Sequence, residues 1–243
     1  FIQEGNTSVN EWQGFIPKSQ VAQVKNPERG FISSANQRST DASYPYYYNA
    51  RNFDDYRGRY INRRLAEMDS ITVQDMMELQ NDSYSIFAEE GLAALLKYLD
   101  REKLSTVQQG LLKILEAWDF RFKADGEAPI LFVEWWENFY EMTWDEVYVK
   151  NEEQPMLFPE NWRTIDLLLN DPLNIFWDID TTAQREMPKD IVTQSFLKTC
   201  EDLHEKLERE DYTWDEHKST DIRHLARIEP FGRYDLEVGG YGQ

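Results

Sequence analysis

Apolar residues recur every three or four positions along most of the chain beyond residue 57, which is the spacing of amphipathic helices. The clearest stripe steps by four, four, three and four residues through Val192, Phe196, Cys200, Leu203 and Leu207. Acidic residues occupy the opposite face of this segment. The pattern therefore predicts a long helix whose apolar side packs against a core.

Start signals place further helices upstream. Arg57 opens a helix in which Ile61 and Leu65 share one face, and Thr72-Val73-Gln74-Asp75 is a capping-box variant that predicts a second helix ending near Asn81. A third helix is predicted between residues 83 and 100. A fourth is predicted after residue 105 or 106, with one apolar stripe made of Val107, Leu111, Leu115 and Trp118.

Pro129 fits the first residue of a fifth helix, because proline has no N–H to leave unpaired there. Apolar residues on nearly all sides of this helix predict that it is buried. Between residues 152 and 188 four prolines interrupt the pattern, so short helices joined by loops are expected.

The first 56 residues lack helical spacing. Asn26-Pro27-Glu28-Arg29-Gly30 predicts a turn, and the β-prone pair Phe31 and Ile32 predicts a short strand that ends at the primary amide of Asn36. Residues 38–56 form a polar loop rich in aromatic residues. These rings either wall an apolar pocket or only hold a long loop in place; they are Tyr44, Tyr46, Tyr47, Tyr48, Phe53 and Tyr56.

Composition narrows the possible partners. The 243 residues include 26 Lys and Arg against 45 Asp and Glu, a net charge of −19, which disfavours nucleic acid and anionic membrane surfaces. No apolar run approaches the length needed to span a membrane. Cys200 is the only cysteine, so it forms no disulfide within the chain and is predicted to pack in the core.

Several kinds of site have weak support. The three histidines, at 204, 217 and 224, lack zinc-ligand spacing, and His217 and His224 are interpreted as buried, hydrogen-bonded rings near a tryptophan. Acid pairs such as Asp54 with Asp55 are expected by chance among 45 acids. Asp178 and Asp180 lack a calcium-loop pattern. No cofactor is therefore predicted.

Asn36 is the strongest catalytic candidate. A rigidly held side-chain amide can donate to the oxyanion that forms when a carbonyl is attacked. The alternative from the residues alone is a turn asparagine that bonds its own backbone.

A resemblance favours the catalytic interpretation. Residues 26–37 read NPERGFISSANQ, follow the segment EWQGFIP at 11–17 and precede Tyr44-Pro45. Together these motifs resemble the penicillin acylase family of N-terminal-nucleophile hydrolases. Further matches, in the family's order, are Trp118-Asp119, the segment from Asn170 to Thr182, and residues 214–225.

The resemblance implies roles for two residues. Asn36 corresponds to the side-chain half of the family's oxyanion hole, and Arg57 corresponds to an arginine at the head of a helix that folds back to hold it. Some members bind calcium through an Asp shortly after the motif matched by Tyr44-Pro45, but Tyr46 and Tyr47 stand there in this sequence. No calcium ligand is therefore expected at that position.

The resemblance also implies an internal segment of the β chain. The family's nucleophile is the first residue of the mature β chain, whereas residue 1 here is Phe. We expect the nucleophile to lie upstream, the isolated segment to be inactive and the sequence to stop within a domain.

The predicted fold is mainly α (α+β), a helical segment with a few short strands that belong to the family's sandwich. Three regions are expected: residues 1–56 as connector, oxyanion-hole strand and aromatic loop; 57–218 as the helical region; and 219–243 as a truncated return toward the sandwich. The implied partners are an acyl amide substrate and the remaining segments of the parent enzyme. The implied location is periplasmic or extracellular.

Two alternatives stay open. The chain is either part of an amidohydrolase for linear amides or a non-catalytic helical interaction module that retains the same architecture. A third possibility, an acidic hydrolase that uses two carboxylates, requires both to face one pocket. The substrate is undetermined among penicillins, acyl-homoserine lactones and peptide-like amides.

Overall fold

The computed structural model describes residues 5–35, 37, 39–41, 43–46, 54–148, 157–209 and 212–241. The α-helices with both ends described are α1 Tyr56–Glu67, α2 Val73–Asn81, α3 Ile86–Tyr98, α4 Thr106–Glu116, α5 Ala128–Thr143, α6 Asn161–Asn170, α7 Pro188–Asp202, α8 His204–Leu207 and α9 Trp214–Lys218. Two short strands follow, β1 Thr220–Ile222 and β2 Arg233–Leu236. The predicted mainly helical architecture is confirmed.

Helix α5 lies at the centre of the core. Its residues are buried on most sides, as its sequence predicts, and its contact with α7 is the most extensive between any two helices described. Trp135 is fully buried there, and its indole Nε1 donates to the Val192 carbonyl (3.2 Å) and the Ser195 hydroxyl (3.1 Å). The predicted stripe is confirmed as buried from Val192 to Leu203, but the helix is shorter than predicted, because α7 ends at Asp202 and the half-buried Leu207 lies in α8.

The predicted start signals are confirmed as helix caps. The Thr72 hydroxyl accepts from the backbone N–H of Asp75, whose carboxylate accepts from the backbone N–H of Thr72. Ser105 and Gln108 form the same reciprocal pair at the start of α4. Helix α5 begins at Ala128, one residue earlier than predicted, so Pro129 is its second residue, where the missing N–H still costs no hydrogen bond.

The predicted stripe of α4 is partly wrong. Val107 is 75% exposed, and Leu112 and Leu115 supply the buried face. Trp118 lies beyond the last residue of the helix, and its Nε1 donates to the Arg121 carbonyl (3.0 Å). The spacing identified the helix, but the position of α5 and α7 decided which of its sides is buried.

The predicted strand beginning at Phe31 is not found among the described residues. Residues 31–35 pair with no described strand. A strand requires a partner strand that accepts and donates hydrogen bonds along its edge, and the hydrogen bonds of this segment go to side chains instead.

Strands β1 and β2 pair antiparallel, with Thr220 opposite Leu236 and Ile222 opposite Arg233.

The C-terminal residues pack onto the helical body. The backbone N–H of Gly240 donates to the Phe122 carbonyl (2.7 Å), and the indole of Trp214 donates to the Gly240 carbonyl (3.1 Å). A Cβ at Gly239 would lie 2.5 Å from the Phe122 carbonyl oxygen, so this close approach requires glycine. Tyr241 is thereby held against the rings of Phe87 and Phe122.

Within the described part of the chain, no helix is both long enough and apolar enough to cross a bilayer.

We expect Trp135→Phe to lower the free energy of unfolding of this chain by about 2 kcal/mol, because it leaves a cavity between α5 and α7 and removes two hydrogen bonds. The matched control is Trp12→Phe, since Trp12 is 89% exposed. Its effect should stay within about 0.5 kcal/mol. Urea unfolding followed by far-UV circular dichroism measures both, and equal losses would contradict the central position of Trp135.

Candidate functional site

The segment that carries the predicted oxyanion residue lies across α1. Asn62 on α1 links the two: its Oδ1 accepts from Arg29 Nη1 (2.8 Å) and from the Ser33 hydroxyl (3.0 Å), while its Nδ2 donates to the Gly58 carbonyl (2.7 Å). One helix side chain thus holds two points of the N-terminal segment. The sequence offers no signal for this role, because Asn62 lies 33 residues after Arg29.

Gln37 closes a local turn and contacts the first turn of α1. Its Oε1 accepts from the backbone N–H of Ala35 (2.5 Å), and its Nε2 donates to the Ser33 carbonyl (3.0 Å). A Cβ at Gly58 would lie 3.0 Å from Gln37 Oε1 and 3.1 Å from Gln37 Cβ, so the glycine permits this approach. Gly58 is the neighbour of Arg57 in α1.

The two predicted catalytic residues differ in what the structure says of them. Asn36 lies outside the described residues, so its contact with Arg57 stays a prediction. Arg57 is exposed in the first turn of α1, which begins one residue earlier than predicted, at Tyr56. The structure does describe the residue that follows each of them. Gln37, which follows Asn36, lies against Gly58, which follows Arg57.

The aromatic loop can be followed only in part, because Tyr47, Tyr48 and Phe53 lie outside the described residues. The hydroxyl of Tyr44 donates to the Gln20 backbone carbonyl (2.7 Å), and that of Tyr46 donates to the Gln20 side chain. These two rings therefore hold the loop against the N-terminal segment. Tyr56, by contrast, is the first residue of α1 rather than part of the loop, and it lines a cavity.

A cavity of about 480 Å³ lies beside Arg57. It is bounded by α1, by residues 79–87 and by the C-terminal residues 240–241. The stacked rings of Tyr60 and Tyr84, with centroids 4.8 Å apart, line one side, and Phe87 and Tyr241 line another. The volume and the aromatic walls are those of a small-molecule site.

A charged network forms part of the cavity wall. Asp82 pairs with Arg121 through two hydrogen bonds, from Nε to Oδ1 (3.1 Å) and from Nη2 to Oδ2 (3.3 Å), and it accepts a third from the Tyr60 hydroxyl. Burial opposes ionisation of Asp82, but these donors outweigh burial and lower its pKa. Burial and the bond to Asp82 raise the pKa of Tyr60 to about 12.

This network also joins two distant parts of the chain. The backbone N–H of Ser85 donates to the Phe120 carbonyl (2.9 Å), and that of Phe122 donates to the Ser83 carbonyl (3.1 Å). The ion pair of Asp82 and Arg121 spans 39 residues. No local motif indicates such a pair, so the sequence reasoning missed it.

The other candidates have structural roles. His217 is half-buried rather than buried, but the predicted hydrogen bond and tryptophan are found: Nδ1 lies 2.8 Å from the Tyr212 hydroxyl, Trp214 lies beside the ring, and partial burial lowers its pKa. His224 is half-buried against Phe231 rather than a tryptophan. Cys200 is buried as predicted, and burial raises its thiol pKa to about 11.

Histidine, cysteine and acidic side chains are the usual protein ligands of metal ions. The described residues contain no group of three or more such side chains arranged to hold a metal ion.

Two comparisons with known proteins find similarity, one over the whole chain and one over about half of it. The family model described as penicillin amidase matches residues 1–243. Penicillin acylase 2 proenzyme of Pseudomonas sp. (strain SE83) is 30% identical over 124 residues, which are 51% of this chain and 16% of that relative. The aligned region is thus a small part of the relative's length.

We expect Asp82→Asn to lower the free energy of unfolding at pH 7, because it removes the charge that pairs with Arg121. A lowered pKa means that Asp82 stabilises the fold above its unfolded pKa of about 3.9 and that this stabilisation is lost as the pH falls through the folded pKa. Urea unfolding from pH 7 downward should therefore show the wild-type and variant curves converging below about pH 4. The exposed Asp125→Asn is the control, with almost no difference at any pH. A difference in the free energy of unfolding between wild type and Asp82→Asn that stays the same at every pH would contradict the ion pair of Asp82 with Arg121.

Proposed function

The chain belongs to the penicillin amidase family, and from that premise we propose that it is a segment of an amidohydrolase that splits a linear, non-peptide amide into an acyl group and an amine. The observation that carries the proposal is the family match over all 243 residues, together with the packing of Gln37 on the first turn of α1.

Asn36 is the proposed oxyanion-hole donor. Its side-chain amide would donate to the oxygen that becomes negative when the substrate carbonyl is attacked, which stabilises the transition state more than the ground state. Support comes from its neighbours: Ala35 is buried, and Gln37 is held by two hydrogen bonds and by contact with Gly58. An amide between such neighbours is already held in one orientation, so little further ordering is needed when the oxyanion forms.

Arg57 is the proposed brace for Asn36. A guanidinium stays protonated and offers donors in a fixed geometry, so it can orient an amide oxygen while leaving the amide N–H groups for the substrate. Support comes from the contact of Gln37 with Gly58, because Gly58 is the residue next to Arg57 in α1.

The nucleophile is proposed to come from a residue outside these 243. The family's chemistry uses an N-terminal nucleophile activated by its own amino group, and Cys200 is a poor substitute because it is buried and its thiol pKa is raised to about 11. No cofactor is proposed for the reaction.

The remaining segments of the parent enzyme are the proposed partners. Large apolar side chains are exposed near both ends of the chain, including Trp12 (89%), Phe15 (92%), Leu225 (100%) and Phe231 (69%). We propose that these side chains contact the remaining segments of the parent, which would cover their apolar surface. We place the parent in the periplasm or outside the cell on the resemblance alone, and we leave the acyl amide unspecified among penicillins, acyl-homoserine lactones and peptide-like amides.

The first test uses the full-length protein and a chromogenic acyl amide. We expect Asn36→Ala to lower kcat by about 10²- to 10³-fold with little change in KM, because the donor acts only on the developing oxyanion. Arg57→Ala should also lower kcat. The matched control is Arg59→Ala on the same helix, an exposed residue paired with Glu90, which should keep near wild-type activity.

N-terminal sequencing of the expressed protein accompanies this assay. A new terminus at Ser, Cys or Thr is expected if the parent matures as the family does. An unprocessed, inactive parent would instead favour a non-catalytic helical module with the same architecture.

The isolated 243-residue chain is expected to show no turnover of the same substrate. Measurable turnover that is abolished by Asn36→Ala would contradict the proposal that the nucleophile lies elsewhere.

A further inference from the structure

Two residues that line the cavity beside α1 each carry a buried polar atom without a hydrogen-bond partner. These atoms are Oδ1 of Asp54 and the hydroxyl oxygen of Tyr56. Tyr56 is only 8% exposed. Folded proteins leave few buried polar groups unpaired, so two at one cavity indicate a ligand that would pair with them.

The charges around Asp54 favour a cation. Burial raises its pKa, and the neighbouring carboxylates of Glu160 and Asp55 raise it further. Burial also raises the pKa of Tyr56, with the negative charges of Asp54 and Glu90 acting in the same direction. A positively charged ligand would relieve this repulsion, whereas an anion would add to it.

The nearby arginines leave this preference in place. Arg59 lies 5.9 Å from the centre of the Tyr56 ring, but its guanidinium is paired with Glu90 and Asp55. Arg57 lines the cavity and is exposed, so solvent screens its charge more strongly than that of the half-buried Asp54.

The rest of the wall suits an apolar or aromatic body. Tyr60, Tyr84, Phe87 and Tyr241 line the cavity, and their rings provide flat apolar surface and faces that attract a cation. The volume of about 480 Å³ accommodates a small organic molecule rather than a bare ion.

We propose that this cavity binds a primary ammonium compound with an aryl or alkyl body, the ammonium paired with Asp54 and hydrogen-bonded to Tyr56 while the body lies among the aromatic rings. The binding involves no bond cleavage, so it goes beyond the proposed hydrolysis and does not depend on it. Neither Asp54 nor Tyr56 has an assigned part in that reaction.

The experiment is isothermal titration of the full-length protein at pH 7 with 2-phenylethylammonium chloride and, separately, with its neutral counterpart 2-phenylethanol. The ammonium is expected to bind about tenfold or more tightly than the alcohol, because only the ammonium pairs with the carboxylate. Equal affinity, or no binding of the ammonium, would overturn the proposal.

Variants then locate the site. Asp54→Asn should remove the preference for the ammonium, and Tyr56→Phe should weaken its binding severalfold. The matched control is Asp69→Asn, an exposed aspartate just beyond the other end of α1, which should change affinity by no more than about twofold. Unchanged affinity in Asp54→Asn would overturn the proposal.

Two further measurements keep the outcome interpretable. Thermal unfolding of each variant establishes that it folds, and if Asp54→Asn does not, Tyr56→Phe and the comparison of ammonium with alcohol on the wild type still decide the question. Asn36→Ala should retain binding, so failure of the proposed hydrolysis and failure of this site are distinguishable.

Discussion

The packing of α5 against α7 is the contact on which the other helices depend. Helix α5 is buried on most sides, and α3, α4 and α9 also contact it. The indole of Trp135 bonds the carbonyl of Val192, a backbone oxygen within α7, so the two helices are held in register as well as in contact. Apolar burial supplies the stability, and the buried hydrogen bonds fix one arrangement.

Aromatic rings extend this core to the C-terminal segment. Phe122 contacts Trp118, Trp214 and Tyr241, with ring centroids 5.0 to 5.1 Å apart. The backbone of Gly240 bonds the carbonyl of the same Phe122. The cavity exists because this tail closes one side of it, so the site is assembled from α1, the segment before α3 and the last described residues rather than from one stretch of chain.

The N-terminal segment relates to the helical body in a different way. Among its described residues Ala35 alone is a buried apolar residue, and side-chain hydrogen bonds to α1 hold the segment in place. The proposed use of this region for catalysis fits that arrangement, because a loop carried on a rigid helix can present polar groups without being buried. The helical body acts in this view as the support that orients the N-terminal segment.

The sequence by itself determined the helices, their caps and the family. Thr72 with Asp75 and the stripe from Val192 to Leu203 were recognisable because capping and helical spacing act within a few residues, and the ordered motifs around residues 26–37 sufficed to indicate the family. Only the tertiary structure decided which side of α4 is buried, that residues 31–35 lack a described β partner, and that Asp82 pairs with Arg121. It also decided that Asp54, Tyr56 and Tyr241 share one cavity. Those outcomes depend on contacts between residues tens to nearly two hundred positions apart, and local spacing carries no information about such contacts.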